Sequence, residues 1–112
     1  MNSVSSNGIG ILALGATGNR IYLNSFDLNT GYNALSWASA NQWSSTMPIT
    51  YFVDGVLHES LLGNYFGDHD LTDADGDAIA DRQYQIPRDG SPDGNPLVQP
   101  TSQYDFVYPG EY

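Results

Sequence analysis

The chain is 112 residues long, which fits one domain with a modest core. Its net charge is −10, with three arginines and no lysine. This charge argues against binding to nucleic acid or to an anionic membrane surface, and it favours divalent cations as partners. The absence of cysteine excludes disulfides and thiolate metal sites. We also predict no signal peptide and no membrane insertion, because no basic segment followed by a long apolar run is present.

Short apolar stretches broken by Asn and Gly predict β structure in the first third of the chain. The candidate strands are residues 8–14, 19–26 and 33–38. The candidate turns are residues 15–19 and 29–33, where Gly or Asn would supply a positive φ. No apolar pattern of helical period and length is present. We therefore predict an all-β chain.

A weak internal repeat accompanies these strands, since residues 2–7 and 19–24 both read Asn-x-apolar-x-x-Asn. In a parallel β-helix, each such unit would be one coil. Its apolar side chains would stack inward, and its asparagines would form hydrogen-bonded ladders along the axis. The spacing favours this arrangement over the alternative, an ordinary antiparallel meander.

The middle of the chain predicts a β-hairpin. Residues 49–53 and 56–62 flank Asp54-Gly55, which is the strongest two-residue hairpin signal. Near the C terminus, Tyr104, Phe106 and Tyr108 recur at period two and predict one face of a further strand.

The acidic stretch TDADGDAIADRQY, residues 72–84, is the strongest functional signal. Repulsion among its carboxylates must be relieved by solvent, by protonation or by a cation. Short Asp side chains at alternate positions of a turn converge on one point, as ligands 1, 3 and 5 of an EF-hand do. We therefore predict a structural Ca²⁺ site. Its predicted ligands are Asp73, Asp75, Asp77, the carbonyl of Ile79 and Asp81, with Asp68 and Asp70 as further candidates.

This loop departs from an EF-hand at two positions. Ala78 stands where the sharp turn needs Gly, and Tyr84 stands where a bidentate Glu belongs. Amphipathic flanking helices are also lacking. The alternative is a solvated acidic turn, but the regular ligand spacing and the scarcity of compensating charge favour calcium. Mg²⁺ is disfavoured because it tolerates irregular all-protein cages poorly.

An ordered string of motifs resembles the C-terminal part of NosD-like right-handed parallel β-helix proteins of the CASH type. The motifs are NRIYLNSF, NQWSSTMPITYFVDGV, LLGNYFGDHDLTDADGDAIADRQYQIP and GNPLVQP, and the resemblance covers roughly residues 2–100. The chain departs from the family pattern at Phe66-Gly67, where Trp-Ser is usual. It departs again at Ala78 and Ala80, which replace loop glycines, and at Asn95, which replaces a Tyr.

The resemblance implies a short right-handed parallel β-helix with a β-hairpin insertion and a calcium-loop C-terminal cap. Residues 1–100 would form the β-helix module with its hairpin and acidic loop, and residues 101–112 would form an extension strand. The resemblance also implies an extracellular or cell-surface location. It does not fix a function, because family members range from copper-insertion accessories to sugar-binding surface proteins.

The favoured function is a non-enzymatic, calcium-stabilised module that is structural, adhesive or carbohydrate-binding. The exposed ends of a short β-helix predict a homo-oligomer or inclusion in a larger β-helix chain. A polysaccharide ligand would stack on exposed aromatic side chains, although each candidate also suits core packing. The candidates are Tyr65, Tyr84, Tyr104, Phe106 and Tyr108.

Two other functions compete with this one. A β-helix lyase needs a Lys or Arg base, which leaves Arg20, Arg82 and Arg88, and a bound calcium would occupy the carboxylates that a glycosidase needs. Copper handling needs Cys, Met or His ligands. The available ones, Met1, Met47, His58 and His69, show no ligand spacing. We therefore predict no enzyme and no catalytic residues.

Overall fold

The chain folds almost wholly into β structure. The computed structural model describes residues 2–15, 17–37, 40–69, 71–87 and 92–107. Within these ranges the only helical element is a 3₁₀ turn at Thr101–Gln103, and no helix is long and apolar enough to cross a membrane. The strands are β1 Ser3–Ser5, β2 Ile9–Leu14, β3 Thr17–Arg20, β4 Ser25–Asp27, β5 Tyr32–Trp37, β6 Ala40–Gln42, β7 Ile49–Val53, β8 Val56–Ser60, β9 Tyr65–Phe66 and β10 Asp105–Val107. The predicted all-β class is confirmed.

The first six strands and β9 pair in parallel. β1 lies beside β4, which lies beside β9, while β2 pairs with β5 and β3 with β6. Ser3 pairs with Ser25 and Val4 with Phe26, so the chain comes back alongside itself in the same direction. We call the stretch between two such partners a circuit. An antiparallel meander cannot give these pairings, so that alternative is wrong for the described strands.

Asparagine side chains join successive circuits. The backbone N–H and Nδ2 of Asn2 donate to Oδ1 of Asn24 at 3.0 and 3.1 Å. Asn24 donates in the same way to Oδ1 of Asn64 at 3.1 and 3.2 Å. The predicted ladders are therefore present, but the predicted alignment of residues 2–7 with 19–24 is wrong. Each circuit contributes asparagines to more than one ladder, or row. Asn2 therefore bonds to Asn24 in one row, while Asn19 belongs to another.

Two bends differ from the sequence prediction. The predicted strand 19–26 is broken at Leu23, which has a φ of 58° and donates its amide to the Gly63 carbonyl. A positive φ is unfavourable for Leu, but its side chain is buried in the core and held there. The turn predicted at 29–33 takes its positive φ from Leu28, just before it, and not from Gly or Asn.

The predicted hairpin is present, with Asp54 and Gly55 both at positive φ between β7 and β8. Its base is closed where the Ser45 amide donates to the Leu62 carbonyl at 2.8 Å and the Leu62 amide donates to Ser45 Oγ at 3.1 Å. This insertion explains why the ladder step from Asn24 to Asn64 spans 40 residues, whereas the preceding step spans 22.

The C-terminal segment returns to the hairpin. β10 pairs antiparallel with the free edge of β7, with Phe106 opposite Tyr51. The rings of Tyr104 and Phe106 stack with centroids 5.8 Å apart, as the period-two pattern predicts. Tyr108 lies outside the described residues, and the proposed division of the chain at residue 100 stays a prediction.

Two apolar clusters form the core. The coil cluster lies between the parallel strands and contains Phe26, Ala34, Trp43, Phe66, Tyr84 and Ile86. The hairpin cluster lies beneath the hairpin and the acidic loop and contains Leu23, Tyr51, Val53, Leu62, Ala78, Ile79, Leu97 and Tyr104. The acidic loop is thus anchored through its own buried residues.

Candidate functional site

The acidic loop has a buried base and an exposed rim. Ala78, Ile79 and Ala80 are buried, and Ile79 forms an antiparallel bridge with Leu97. The Tyr51 hydroxyl donates to the Asp77 carbonyl at 2.6 Å, from strand β7. These contacts fix the backbone of the loop against the rest of the fold.

Tyr104 clamps the same base from the C-terminal side. Its hydroxyl donates to the Ala78 carbonyl at 2.6 Å and accepts the Val98 amide at 3.2 Å. Ala78 has a φ of 66°, so it adopts the left-handed conformation for which the sequence pattern expected Gly. The missing Gly therefore does not prevent the sharp turn, because the buried Ala78 is held by its neighbours.

Three carboxylates of the rim come together. Asp73, Asp75 and Asp81 each offer an oxygen, and these oxygens lie within 4.8 Å of one another. Within the part of the chain that the structure describes, this is the one such group of acidic or histidine side chains. Asp75 and Asp81 are exposed and Asp73 is half-buried, so solvent ions reach the group.

Hydrogen bonds within the loop hold two of these carboxylates in place. The amides of Gly76 and Ala78 donate to the two oxygens of Asp73 at 3.0 and 2.8 Å. The Ala74 amide donates to Oδ2 of Asp81 at 2.9 Å. The loop therefore presents its acidic oxygens in a fixed arrangement.

The electrostatics of the loop reflect crowded negative charge. Burial raises the pKa of Asp77, and the charges of Asp75 and Asp73 raise it further against the hydrogen bond from the Ile79 amide. Burial also acts to raise the pKa of Asp73, but hydrogen bonds led by that from the Ala78 amide outweigh it and leave this pKa below its ordinary value. Burial and then the nearby aspartates raise the pKa of Tyr51 to about 12.

The donor set fits a hard cation. Carboxylate oxygens are the ligands of Ca²⁺ and Mg²⁺, whereas copper(I) prefers sulfur and imidazole. Asp77 lies on the same loop but outside the group of three, and its Oδ1 accepts the Ile79 amide at 2.9 Å. The ligand roles of Asp77 and of the Ile79 carbonyl stay predictions.

The further ligand candidates lie elsewhere or outside the described residues. Asp68 accepts Nδ2 of Asn33 at 2.8 Å and the Tyr84 hydroxyl at 3.1 and 3.2 Å, and it is not part of the carboxylate group. Through the Tyr84 hydroxyl, the exposed Asp68 is hydrogen-bonded to a member of the coil cluster. Asp70 is among the residues that the structure does not describe.

The predicted sugar-stacking aromatics are mostly packed. Tyr84 is buried with its ring parallel to that of Phe66 and centroids 3.8 Å apart, and Tyr104 is buried in the hairpin cluster. Both rings therefore fill the core, the packing role that each candidate also suited, and they offer no exposed face to a sugar. Tyr65 and Phe106 are half-buried and pack against the hairpin cluster.

One polar residue of structural importance was missed. Asp93 is fully buried, and it accepts the Asn64 amide at 2.8 Å, Asn64 Nδ2 at 3.2 Å and the Asn95 amide at 3.0 Å. Burial raises its pKa to about 7, against these hydrogen bonds. An Asp within a Pro-Gly-Asp turn cluster predicts exposure, so the sequence held no direct signal for this role.

Parallel strand pairs joined by asparagine ladders define an all-β protein. The chain belongs to the family described as periplasmic copper-binding protein (NosD), whose model matches residues 1–71. This match ends just before the acidic loop, so it carries no information about the carboxylate group. Comparisons with curated proteins and with solved structures found no match.

Proposed function

We propose that this chain is a non-enzymatic, calcium-stabilised module of an extracytoplasmic protein. In this proposal the parallel strands are coils of a short right-handed β-helix, the hairpin is an insertion, and the acidic loop is the C-terminal cap. The observation that carries it is the group formed by Asp73, Asp75 and Asp81, whose oxygens lie within 4.8 Å of one another on a clamped loop.

Calcium suits this group better than the other cations do. Ca²⁺ accepts six to eight oxygen ligands in flexible geometry, whereas Mg²⁺ requires a near-ideal octahedron. The rim offers carboxylates at alternate positions and is open to water, which can complete the shell. Bound Ca²⁺ would relieve the repulsion among these neighbouring carboxylates, and so would stabilise the fold.

The proposed location follows from the family and the charge. The family description is of a periplasmic protein. We extend this to the outer surface or the extracellular space, where calcium is abundant enough for a site of modest affinity. A net charge of −10 keeps such a module soluble and attracts divalent cations.

The absence of enzymatic activity is part of the proposal. The carboxylates that the fold brings together are those that a cation would occupy, so they are poorly suited to proton transfer. A lyase or glycosidase therefore stays an alternative with less support. Turnover of uronate polymers or of neutral glycans by the purified chain would overturn our proposal.

The partner that we propose is another coil of the same kind, in a second chain or in a longer one. Within the described residues, Oδ1 of Asn2, Asn7 and Asn19 accepts no hydrogen bond, although each heads a ladder. A cavity of about 300 Å³ also opens beside Val4 and Phe26 at this edge. Sedimentation velocity over a hundredfold concentration range tests self-association. A monomer at every concentration would exclude the second chain as the partner and leave further coils of a longer chain.

The test of the calcium site is thermal unfolding with and without the ion. At a free Ca²⁺ concentration of 100 Kd, binding adds about 2.7 kcal/mol, which corresponds to a rise in Tm of roughly 10 °C or more for a chain of this size. Asp75→Asn should abolish most of this rise, because it removes a rim ligand. Asp105→Asn, at an exposed position on β10, is the matched control and should retain it. A Tm that EGTA leaves unchanged would contradict the proposal.

Copper handling is a second candidate, favoured by the family match alone. Titration of the same protein with Cu⁺ and Cu²⁺, beside Ca²⁺, separates the two. A stoichiometric copper complex that survives Asp75→Asn would favour copper. If calcium displaces copper from the protein, both ions bind the rim carboxylates of the acidic loop.

A further inference from the structure

A cavity of about 510 Å³ lies on the outer face of β3 and β6, away from the acidic loop. Arg20 and Gln42 are register partners across these two parallel strands, so their side chains emerge next to each other on one face. Ser44 follows Gln42 at period two. The lining residues are Gly18, Arg20, Asn41, Gln42, Trp43, Ser44 and Pro92.

The β3–β6 pairing is irregular beside this cavity. The register shifts between Thr17 and Arg20, where Gly18 has a φ of 73° and a Cβ would meet nothing within 4 Å. This bulge leaves open space where a regular strand would place a side chain. Bulges re-aim neighbouring side chains and are over-represented beside functional sites.

Three of the side chains that line this space have no hydrogen-bond or ion-pair partner among the described residues. Arg20 and Gln42 are exposed and Ser44 is half-buried, and none of the three makes a side-chain hydrogen bond or ion pair with a residue that the structure describes. Arg20 is one of three cationic residues in a chain of net charge −10. Because none of the described carboxylates pairs with it, the Arg20 guanidinium is available to a ligand in this acidic chain.

We propose that this cavity binds an acidic sugar, with the guanidinium of Arg20 holding the carboxylate. Arg presents a planar fork of N–H donors that matches a carboxylate in a bidentate pair. The Gln42 amide and the Ser44 hydroxyl both donate and accept, which suits neighbouring sugar hydroxyls. The volume lies in the range of small-ligand sites and exceeds the space that a lone carboxylate needs.

The charge of the chain limits the ligand to a singly charged acid. A phosphate ester or a polyanion would meet the repulsion of the net −10 charge, with Arg20 as the one cation among the described lining residues to offset it. The ring of Trp43 is 1% exposed, so it offers no stacking face. Recognition therefore rests on hydrogen bonds and on the Arg20 ion pair, and the affinity is modest.

The experiment uses two probes that differ only in the carboxylate. NMR-detected titration of the full chain with methyl β-D-glucuronide should give a saturable complex and shift the amide signals of Gly18, Gln42 and Ser44. Methyl β-D-glucoside, which is neutral, should bind at least ~10-fold more weakly, since a hydrogen-bonded charge is lost. Titrations in EGTA and in Ca²⁺ should agree, which separates this site from the acidic loop.

Two arginine variants complete the test. Arg20→Gln should weaken binding of the glucuronide at least ~10-fold, and Arg20→Lys should weaken it less because the charge is kept. Arg82→Gln removes the same side chain from an exposed position after the acidic loop and should bind as the wild type does. Equal binding of both sugars, binding that Arg20→Gln leaves intact, or binding that needs Ca²⁺ would overturn the proposal.

Discussion

The backbone amide of Asn64 donates to the carboxylate of Asp93 over 2.8 Å, so a row of asparagines ends on a buried acid. Both residues are fully buried. Asn64 Nδ2 also donates to the carbonyls of Ile21 and Trp43, at 2.8 and 3.0 Å. This pair therefore ties the last part of the chain to two earlier circuits.

Stability should fall as pH rises from about 4 to about 7, because of Asp93. Its pKa of about 7 in the folded chain exceeds the ordinary value of 3.8, so the folded state binds the extra proton in this window. The protonated acid is favoured in the folded state, and that advantage is lost as pH rises through about 7. The shift corresponds to a change of roughly 4 kcal/mol or less.

The measurement is urea unfolding of the wild type and of Asp93→Asn at several pH values. The difference in unfolding free energy between the two proteins should change steadily across this window, whatever its absolute size. Asp105→Asn, at an exposed position, should give a difference that is nearly constant. A constant difference for Asp93→Asn as well would show that Asp93 does not titrate in this range.

Gly63→Ala should be among the most damaging single substitutions. A Cβ at residue 63 would fall on the carboxylate of Asp93. Relief requires either movement of the backbone or loss of the buried hydrogen bonds, and we expect a loss of about 3 kcal/mol or more. The control is Gly8→Ala, where a Cβ meets nothing within 4 Å. Urea unfolding that gives both variants the same stability would contradict this packing.

Tyr104→Phe should loosen the acidic loop. The substitution removes the hydroxyl that donates to the Ala78 carbonyl at 2.6 Å and accepts the Val98 amide at 3.2 Å. The Val98 amide also donates to the Ala78 carbonyl at 3.2 Å, so both groups keep one partner, and we expect a loss of about 0.5–1.5 kcal/mol. Tyr22→Phe is the matched control at an exposed ring.

The same variant should affect the metal if the loop holds one. A looser base lets the rim carboxylates spread, so calcium affinity should fall along with stability in Tyr104→Phe. Isothermal titration with CaCl₂ measures the affinity directly. Unchanged affinity with lowered stability would mean that the rim is arranged independently of its base.

Asn64→Asp should unfold the chain or destabilise it by about 3 kcal/mol or more. The substitution keeps the acceptor for Asn24 but removes the donors to Ile21 and Trp43, and it places a second carboxylate against Asp93. Asn2→Asp, at the exposed first position of the same row, should cost less than 1 kcal/mol. Thermal unfolding of both variants at pH 7 provides the comparison.

Much of the local structure was predictable from the sequence. Asp54-Gly55 predicted the hairpin because few other residue pairs accept two successive positive φ angles. The asparagine pattern predicted ladders, but not which asparagines meet. The pairing of asparagines depends on the number of residues in a whole circuit. The short similarity between residues 2–7 and 19–24 does not give that number.

The rest depended on tertiary context. The alternation of aspartates predicted the convergence of Asp73 and Asp75 because it is a property of the local turn. The burial of Asp93 was not predictable, since Asp93 is buried by segments distant in sequence. Leu23 and Ala78 hold positive φ angles for the same reason, against their intrinsic preference.

The asparagine row has a direction, and its direction has a consequence for how such chains end. Each asparagine accepts from the circuit before it and donates to the circuit after it. Asp93 accepts from Asn64, and its side chain has no amide N–H with which to continue the row. In the language of polymer chemistry, Asp93 acts as the chain terminator of this row, because an acid in place of the amide lacks the N–H donors that the next step would need.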